Sequence, residues 1–334
     1  MSLNLDSFCQ QLPIQHCDIP LFNDFSPTLY LIRLDQLRCG TNDRVMGNKI
    51  FKLLPNLQLA KEQNYRQIVS FGGPWSNHLH ALAAAGEAFD FDTVGLVRGE
   101  RPEQLSATLC DAQSLGMRLQ FISRSDYRRL CGGRYRSLIE QQFGRSWVVP
   151  EGGSNTAGRS GVRAMGRAIA SQLPPAVDHI WMAAATGSTM AGMIEGAVEA
   201  QQGNGKGLFY GVINGVNVLK NDSLAEALTA SLPANLKVDR ETDSVGVEAG
   251  LVRWRLLNNA HCGGYAKVNT DLMAFHRQLE QQLGEPVDHV YMAKVFYALY
   301  QSLQAGELSD ANAIAVIHSG GQQGRRGLPE RRVC

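Results

Sequence analysis

Lys49 sits in the run Gly47-Asn48-Lys49-Ile50-Phe51-Lys52-Leu53, at the mouth of an expected helix. A lysine amine is ordinarily a solvated cation. It becomes a nucleophile only where burial or a neighbouring cation lowers its pKa. Lys52, one turn further along, is either such a cation or a plain surface charge. Pro55 has no N–H to donate and its ring clashes with the preceding turn, so the helix is expected to kink or restart there. A second segment, Phe71-Gly72-Gly73-Pro74-Trp75-Ser76-Asn77-His78, reads as strand, turn and helix. Its glycines permit a sharp turn and a close approach of backbone to a ligand. Ser76 falls near the helix N-cap, where its hydroxyl either caps the helix or faces a site. The turn is not the G-x-G-x-x-G of dinucleotide binding.

A third segment, Ala183-Ala184-Ala185-Thr186-Gly187-Ser188-Thr189-Met190-Ala191-Gly192, follows a strand and opens a helix. Small residues clear space there. Backbone N–H groups and the hydroxyls of Thr186, Ser188 and Thr189 face the positive end of the helix dipole. That is an anion cradle of phosphate size; a tight turn without a ligand is the other reading. It lacks the Gly-Lys-Ser/Thr of a nucleotide loop, so it suits a small phosphorylated cofactor better than a triphosphate. Ser319, in Ala315-Val316-Ile317-His318-Ser319-Gly320-Gly321, stands at another strand end within reach of a ligand. A lysine amine and a monophosphate cradle together point to pyridoxal 5′-phosphate, whose aldehyde condenses with an amine and whose ring is an electron sink.

These residues need a scaffold, and the chain alternates short β-branched runs with helical stretches. Strands are expected at 66–70, 93–97, 118–122, 147–149, 179–183 and 208–212, and again at 315–318. Helices are expected at 77–89, 103–115, 127–142 and from about 190. Continuous apolar strands separated by helices mark parallel sheets covered on both faces, with ligand sites at the strand carboxyl ends. The expectation is an α/β chain of two domains, each with a parallel sheet flanked by helices. The stretch 151–155 (Glu-Gly-Gly-Ser-Asn) is the best crossing point between them. The arginines 124, 128, 129, 134 and 136 read as a solvated helix face or, less simply, as a patch for an acidic partner.

Composition narrows the class. At 334 residues the chain exceeds the size at which one core stops growing. Hydrophobic residues make up 44% and charged residues 19%, which excludes a disordered chain. The 32 Lys+Arg and 31 Asp+Glu give +1, without the basic excess of a nucleic-acid binder. No apolar run approaches a bilayer span and no export signal is visible. The 7 cysteines (9, 17, 39, 110, 131, 262 and 334) are odd in number and lack metal spacing, as expected of reduced thiols in a cytoplasm. A metal hydrolase using His78 and His80 is a third and lesser reading, because two residues apart on a helix they face different sides. A soluble metabolic enzyme, without metal, is the surviving class.

From about residue 25 to 325 the chain resembles the 1-aminocyclopropane-1-carboxylate deaminase and D-cysteine desulfhydrase family. These are fold-type II pyridoxal-phosphate enzymes related in fold to the tryptophan synthase β subunit. The resemblance is carried, in order and spacing, by Gly47-Asn48-Lys49, Gly72-Gly73-Pro74-Trp75-Ser76-Asn77, Thr186-Gly187-Ser188-Thr189, Val290-Tyr291 and His318-Ser319-Gly320-Gly321. It implies that Lys49 carries the cofactor and later moves the α-proton. It implies that Asn77 bonds the ring hydroxyl, and that Ala185, Thr186, Gly187, Ser188 and Thr189 hold the phosphate. Ser319 would face the pyridine nitrogen. Ser76 would contact the substrate carboxylate or take part in proton transfer, with Trp75, Asn77 and His78 beside the substrate. Tyr265 and Tyr291 would line the pocket. Residues 49–155 would form the small domain and 1–48 with 156–334 the large one, the cofactor lying between them. Enzymes of this kind are commonly dimers, so a homodimer is expected.

Two departures separate the activities. The cyclopropane deaminases resemble one another in a Glu after the pocket tyrosine and a Leu between His and Gly-Gly; here Met292 and Ser319 stand there. A carboxylate near the ring nitrogen keeps it protonated and strengthens the electron sink, which opening an unactivated ring requires. A hydroxyl suffices where a thiolate leaves from a β-carbon, and the desulfhydrases carry one. β-Elimination from a small amino acid is therefore the expected reaction, to a keto acid, ammonia and sulfide. Cyclopropane deamination, other fold-type II chemistry such as racemisation, and a non-catalytic homologue that binds cofactor or amino acid are the alternatives. Trp75 and Met292 match neither branch.

Overall fold

The computed structural model describes residues 4–10, 12–41, 43–131, 135–202, 209–233, 236 and 252–327. Its strands are β1 (Ile14–His16), β2 (Thr28–Arg33), β3 (Arg38–Cys39), β4 (Val45–Met46), β5 (Gln67–Gly72), β6 (Asp92–Arg98), β7 (Arg118–Ile122), β8 (Ser146–Val149), β9 (Val177–Ala184), β10 (Val212–Asn217), β11 (Arg253–Leu257) and β12 (Ala313–His318). The described residues form two units, one of 4–5, 37–161 and 323–327, the other of 6–36 and 162–322. Residues 4–5, 37–48, 156–161 and 323–327 thus cluster with the unit that carries Lys49, beyond the span 49–155 read from the sequence.

In the first unit β5 lies inside a parallel sheet of order β7-β6-β5-β8. Val69 and Phe71 of β5, Val94 and Leu96 of β6 and Val148 of β8 pack under Tyr127 and Ile139, which come from the helices Arg124–Cys131 and Tyr135–Phe143. One long helix was expected over 127–142. Helix is described over Arg124–Cys131 and Tyr135–Phe143, and residues 132–134 of that expectation lie outside the described residues. The helix expected at 103–115 spans Ala107–Ser114, because the Ser106 hydroxyl accepts from the Leu109 N–H and fixes its start. An antiparallel ribbon, β3 with β4, leads into the Lys49 helix.

The second unit holds a six-stranded sheet of order β1-β2-β12-β9-β10-β11. It is parallel except at its edge, where β1 pairs antiparallel with β2. All six residues of β12 are buried, as befits a strand covered on both faces. Leu29, Leu31, Trp181, Val216, Ile314 and Val316 pack against Val295, Phe296 and Leu299 of the helix Met292–Gln304 and Leu272, Phe275 and Leu279 of the helix Thr270–Leu283. Each such side chain contributes roughly 1.5–3 kcal/mol by leaving water. The strand expected at 208–212 begins only at Val212. A Cβ on Gly211 would lie 2.0 Å from the Asp178 carbonyl oxygen, so only glycine fits beside the start of β9, and the Gly211 carbonyl already accepts from the Arg253 N–H at 2.8 Å. Residue 208 lies outside the described residues. Parallel alignment brings the ends of β9, β10 and β12, and hence Thr186, Val218 and Ser319, to one edge of the sheet.

Candidate active site

Lys49 opens the helix Lys49–Glu62 directly after Gly47, whose φ of 70° turns the chain. The side chain is half-buried, and burial lowers its amine to about 8. Lys52 is fully enclosed and donates to the Gly152 carbonyl at 3.0 Å. Burial first, and then the Lys49 charge, holds its amine well below the usual lysine range. Gly153 lies against Lys52: a Cβ there would sit 3.1 Å from the Lys52 Cβ. The loop that supplies Gly152 is clamped by amides. Asn155 Nδ2 donates to Asn56 Oδ1 at 2.7 Å, Asn56 Nδ2 returns to Asn155 Oδ1 at 3.1 Å, and Trp147 Nε1 donates to Asn56 Oδ1 at 3.1 Å. The helix does not restart at Pro55. The Phe51 carbonyl, which loses its donor there, is met by Gly161, where a Cβ would come within 1.8 Å of the oxygen.

The turn after β5 delivers Ser76 and Asn77. Ser76 caps the helix Asn77–Phe89, its Oγ accepting from the Leu79 N–H at 3.2 Å, so the capping reading holds; its own O–H stays available to donate. Gly72 cannot be larger, since a Cβ would lie 2.5 Å from Ser76 Oγ. Asn77 Oδ1 is buried without a hydrogen-bond partner among the described residues. His78 is 3% exposed, with Nε2 2.9 Å from Ser70 Oγ. The Ser70 hydroxyl donates to the Val149 carbonyl at 2.7 Å, which assigns the His78 proton to Nε2 and leaves Nδ1 a buried acceptor. Burial, then Lys49 and Lys52, keep the ring neutral. His78 is thus enclosed behind the lysines, while His80 faces Asp111 at 3.4 Å. No group of metal-ligating side chains forms among the described residues. The Trp75 ring packs on Gly327, where a Cβ would lie 3.3 Å away.

In the second unit the strand β9 ends at Ala184 and the helix Ser188–Gln202 begins four residues later. Gly187 between them has φ 80°, and Thr186 Oγ1 lies 3.3 Å from Ser188 Oγ. Thr186 is exposed, and Ala185, Ser188 and Thr189 are half-buried at the mouth of the helix. First-turn N–H groups lack intrahelical acceptors, which makes such a mouth attractive to an anion. At the end of β12 the Ser319 hydroxyl lies 3.8 Å from the thioether of the fully buried Met292. Tyr291 is the N-cap of the helix that Met292 opens. Asp288, which the sequence reading missed, accepts from the N–H groups of Val290, Tyr291 and Met292. Tyr265 is 40% exposed, on a loop of its own.

In one unit stand an amine lowered by burial and an orphaned buried acceptor on Asn77, and in the other a hydroxyl-lined helix mouth; each is a kind of group that a phosphorylated aldehyde can use. The family description "pyridoxal-phosphate dependent enzyme" matches residues 37–320. The chain belongs to that family. This pyridoxal-phosphate enzyme is 26% identical, over 94% of its own length and 90% of the relative's, to a Pyrococcus horikoshii protein provisionally named 1-aminocyclopropane-1-carboxylate deaminase. It is 26% identical, over 82% of each chain, to the D-cysteine desulfhydrase of Klebsiella pneumoniae. In fold it is similar to a crystallised deaminase homologue, with a TM-score of 0.72, 24% identity and coverage of 95% and 92% of the two chains. No helix among the described residues is long and apolar enough to cross a membrane.

Proposed function

We propose that this pyridoxal-phosphate enzyme is a lyase of the D-cysteine desulfhydrase kind, converting D-cysteine and water to pyruvate, ammonia and hydrogen sulfide. When bound, the cofactor supplies an aldehyde for an amine and a ring that accepts the electron pair left by the α-proton. Lys49 Nζ, with its pKa near 8, has neutral amine in reserve near neutral pH to hold the cofactor's aldehyde, and its nitrogen would be the group that moves the α-proton. Asn77 Oδ1 finds its missing partner in the ring hydroxyl. Ala185, Thr186, Gly187, Ser188 and Thr189 hold the phosphate, and Ser76, with Trp75 and Asn77, holds the substrate carboxylate. Tyr265 and Tyr291 line the substrate pocket. His78 acts from behind, as a neutral ring on Ser70 that adds no charge beside the two amines. In the same reading 49–155 is the small domain, and the enzyme works as a homodimer in the cytoplasm.

The observation that carries the choice of reaction is the pairing of Ser319 with Met292, a hydroxyl on a thioether. Ser319 would stand by the ring nitrogen as a neutral group and leave the electron sink modest, which serves a good leaving group such as a thiolate. Cyclopropane deamination is the second reading, favoured by the name of the Pyrococcus relative. A screen of D- and L-amino acids and of 1-aminocyclopropane-1-carboxylate, read as keto acid and sulfide release from the cofactor-loaded protein, tests both. Sulfide and pyruvate from D-cysteine support the proposal; keto acid from the cyclopropane alone replaces it with the second reading. A visible band that shifts with D-cysteine without product marks a non-catalytic homologue.

A further inference from the structure

Lys294 is a lysine at zero exposure that the proposed chemistry does not use; burial lowers its amine to about 8, which leaves it mostly ammonium at about pH 7. Its Nζ donates to the carbonyls of Val218 at 3.1 Å, His261 at 2.8 Å and Gly264 at 2.7 Å, three donors on three acceptors. A charge is kept in an apolar interior only where such bonds replace its water. The loop it grips is held in an uncommon shape: φ is 51° at Cys262, 97° at Gly263, 122° at Gly264 and 52° at Ala266. Left-handed backbone at non-glycine residues persists only where the surroundings enforce it, and it concentrates at working sites. Tyr265 lies within that run. The other end of the grip is equally fixed, because Asp288 takes the N–H groups of Val290, Tyr291 and Met292 at the start of the helix that carries Lys294. One short stretch, 288–294, therefore fixes Tyr291 directly and the Tyr265 loop through an ammonium.

We propose that Lys294 is a positioning residue, setting Tyr265 relative to Tyr291 and thereby the affinity for the amino-acid substrate. The inference rests on the reading of both tyrosines as pocket residues. Its test is a double-mutant cycle with Lys294→Gln and Tyr265→Phe in the cofactor-loaded enzyme, with D-cysteine as substrate. Lys294→Gln is expected to raise KM about tenfold with kcat within about twofold and the visible cofactor band in place, and to add nothing once Tyr265 is Phe. Additive effects, an unchanged KM, or loss of band and kcat together overturn the proposal. Should the Gln variant fail to fold, Lys294→Arg keeps the charge but not the three-way geometry and must show the same rise in KM; loss of folding in both assigns Lys294 to the scaffold alone. A silent Tyr265→Phe sinks the pocket reading itself, whereas a sensitive Tyr265 with a silent Lys294 sinks only this proposal.

Discussion

The turns after β5 and after β9 are the same element, a parallel strand passing through glycine into a helix, yet they are built for opposite ends. After β5 the space is filled: Gly72 leaves no room for a Cβ, and Ser76 spends an acceptor on its own helix. After β9 the glycine is needed for its φ of 80°, while the nearest atom to an added Cβ, Leu224 Cδ1, is 3.3 Å away, and the hydroxyls lie at the rim. A closed turn fixes side chains that do chemistry. An open one offers N–H groups and hydroxyls to a ligand that arrives with its own charge.

The sharpest way to test that difference is to remove chemistry from the unit that carries the closed turn, at Lys49 on the helix before β5. Lys49→Ala should cost turnover about 10³-fold or more and abolish covalent cofactor attachment by mass spectrometry, while inorganic phosphate still binds at the β9 turn. Next come the two glycines. Gly72→Ala should lower unfolding free energy by about 1–3 kcal/mol in a denaturant titration through overpacking. Gly187→Ala should weaken cofactor affinity about tenfold for a strain of about 1–2 kcal/mol in αL backbone. Equal effects on stability and affinity at both positions would erase the distinction. Attachment of cofactor to the apoprotein should quicken about tenfold per pH unit up to about 8 and level off above, because only the uncharged amine attacks and burial has lowered its pKa. A profile still rising towards 10 would show a solvated lysine. The smallest effect belongs to Ser76→Ala, about 1 kcal/mol of helix capping by thermal denaturation. A further fall in kcat/KM beyond that would show its O–H at work on the substrate.

The order of strands and the motif turns were legible because β5, β6, β7 and β9 are largely apolar runs with a glycine or proline signal close by on at least one side. The strand β10 was misplaced because Asn214 and Asn217 interrupt its apolar pattern, each amide being satisfied by neighbours that no sequence pattern reveals. The strand β2 went unread although it is apolar, since nothing in its vicinity marks the sheet partner β12, which lies nearly the length of the chain away. At the site, Lys49, Ser76 and the β9 turn were visible as motifs. Asp288 and Lys294 were not, because their partners are main-chain groups distant in sequence, and a lysine in the middle of a helix reads as solvated until its neighbours are known. The helix runs on past Pro55 without a restart for the same reason: Gly161, which makes room beside the Phe51 carbonyl, lies more than a hundred positions on.

The amide clamp of Asn56, Asn155 and Trp147 has one more implication. None of its groups gains or loses a proton in water, and none responds to reductant. Conditions that loosen ion pairs elsewhere leave the seat of Lys52 where it is. A titration of the lysine region over the alkaline range therefore follows the amines themselves, free of any drift in the loop beneath them.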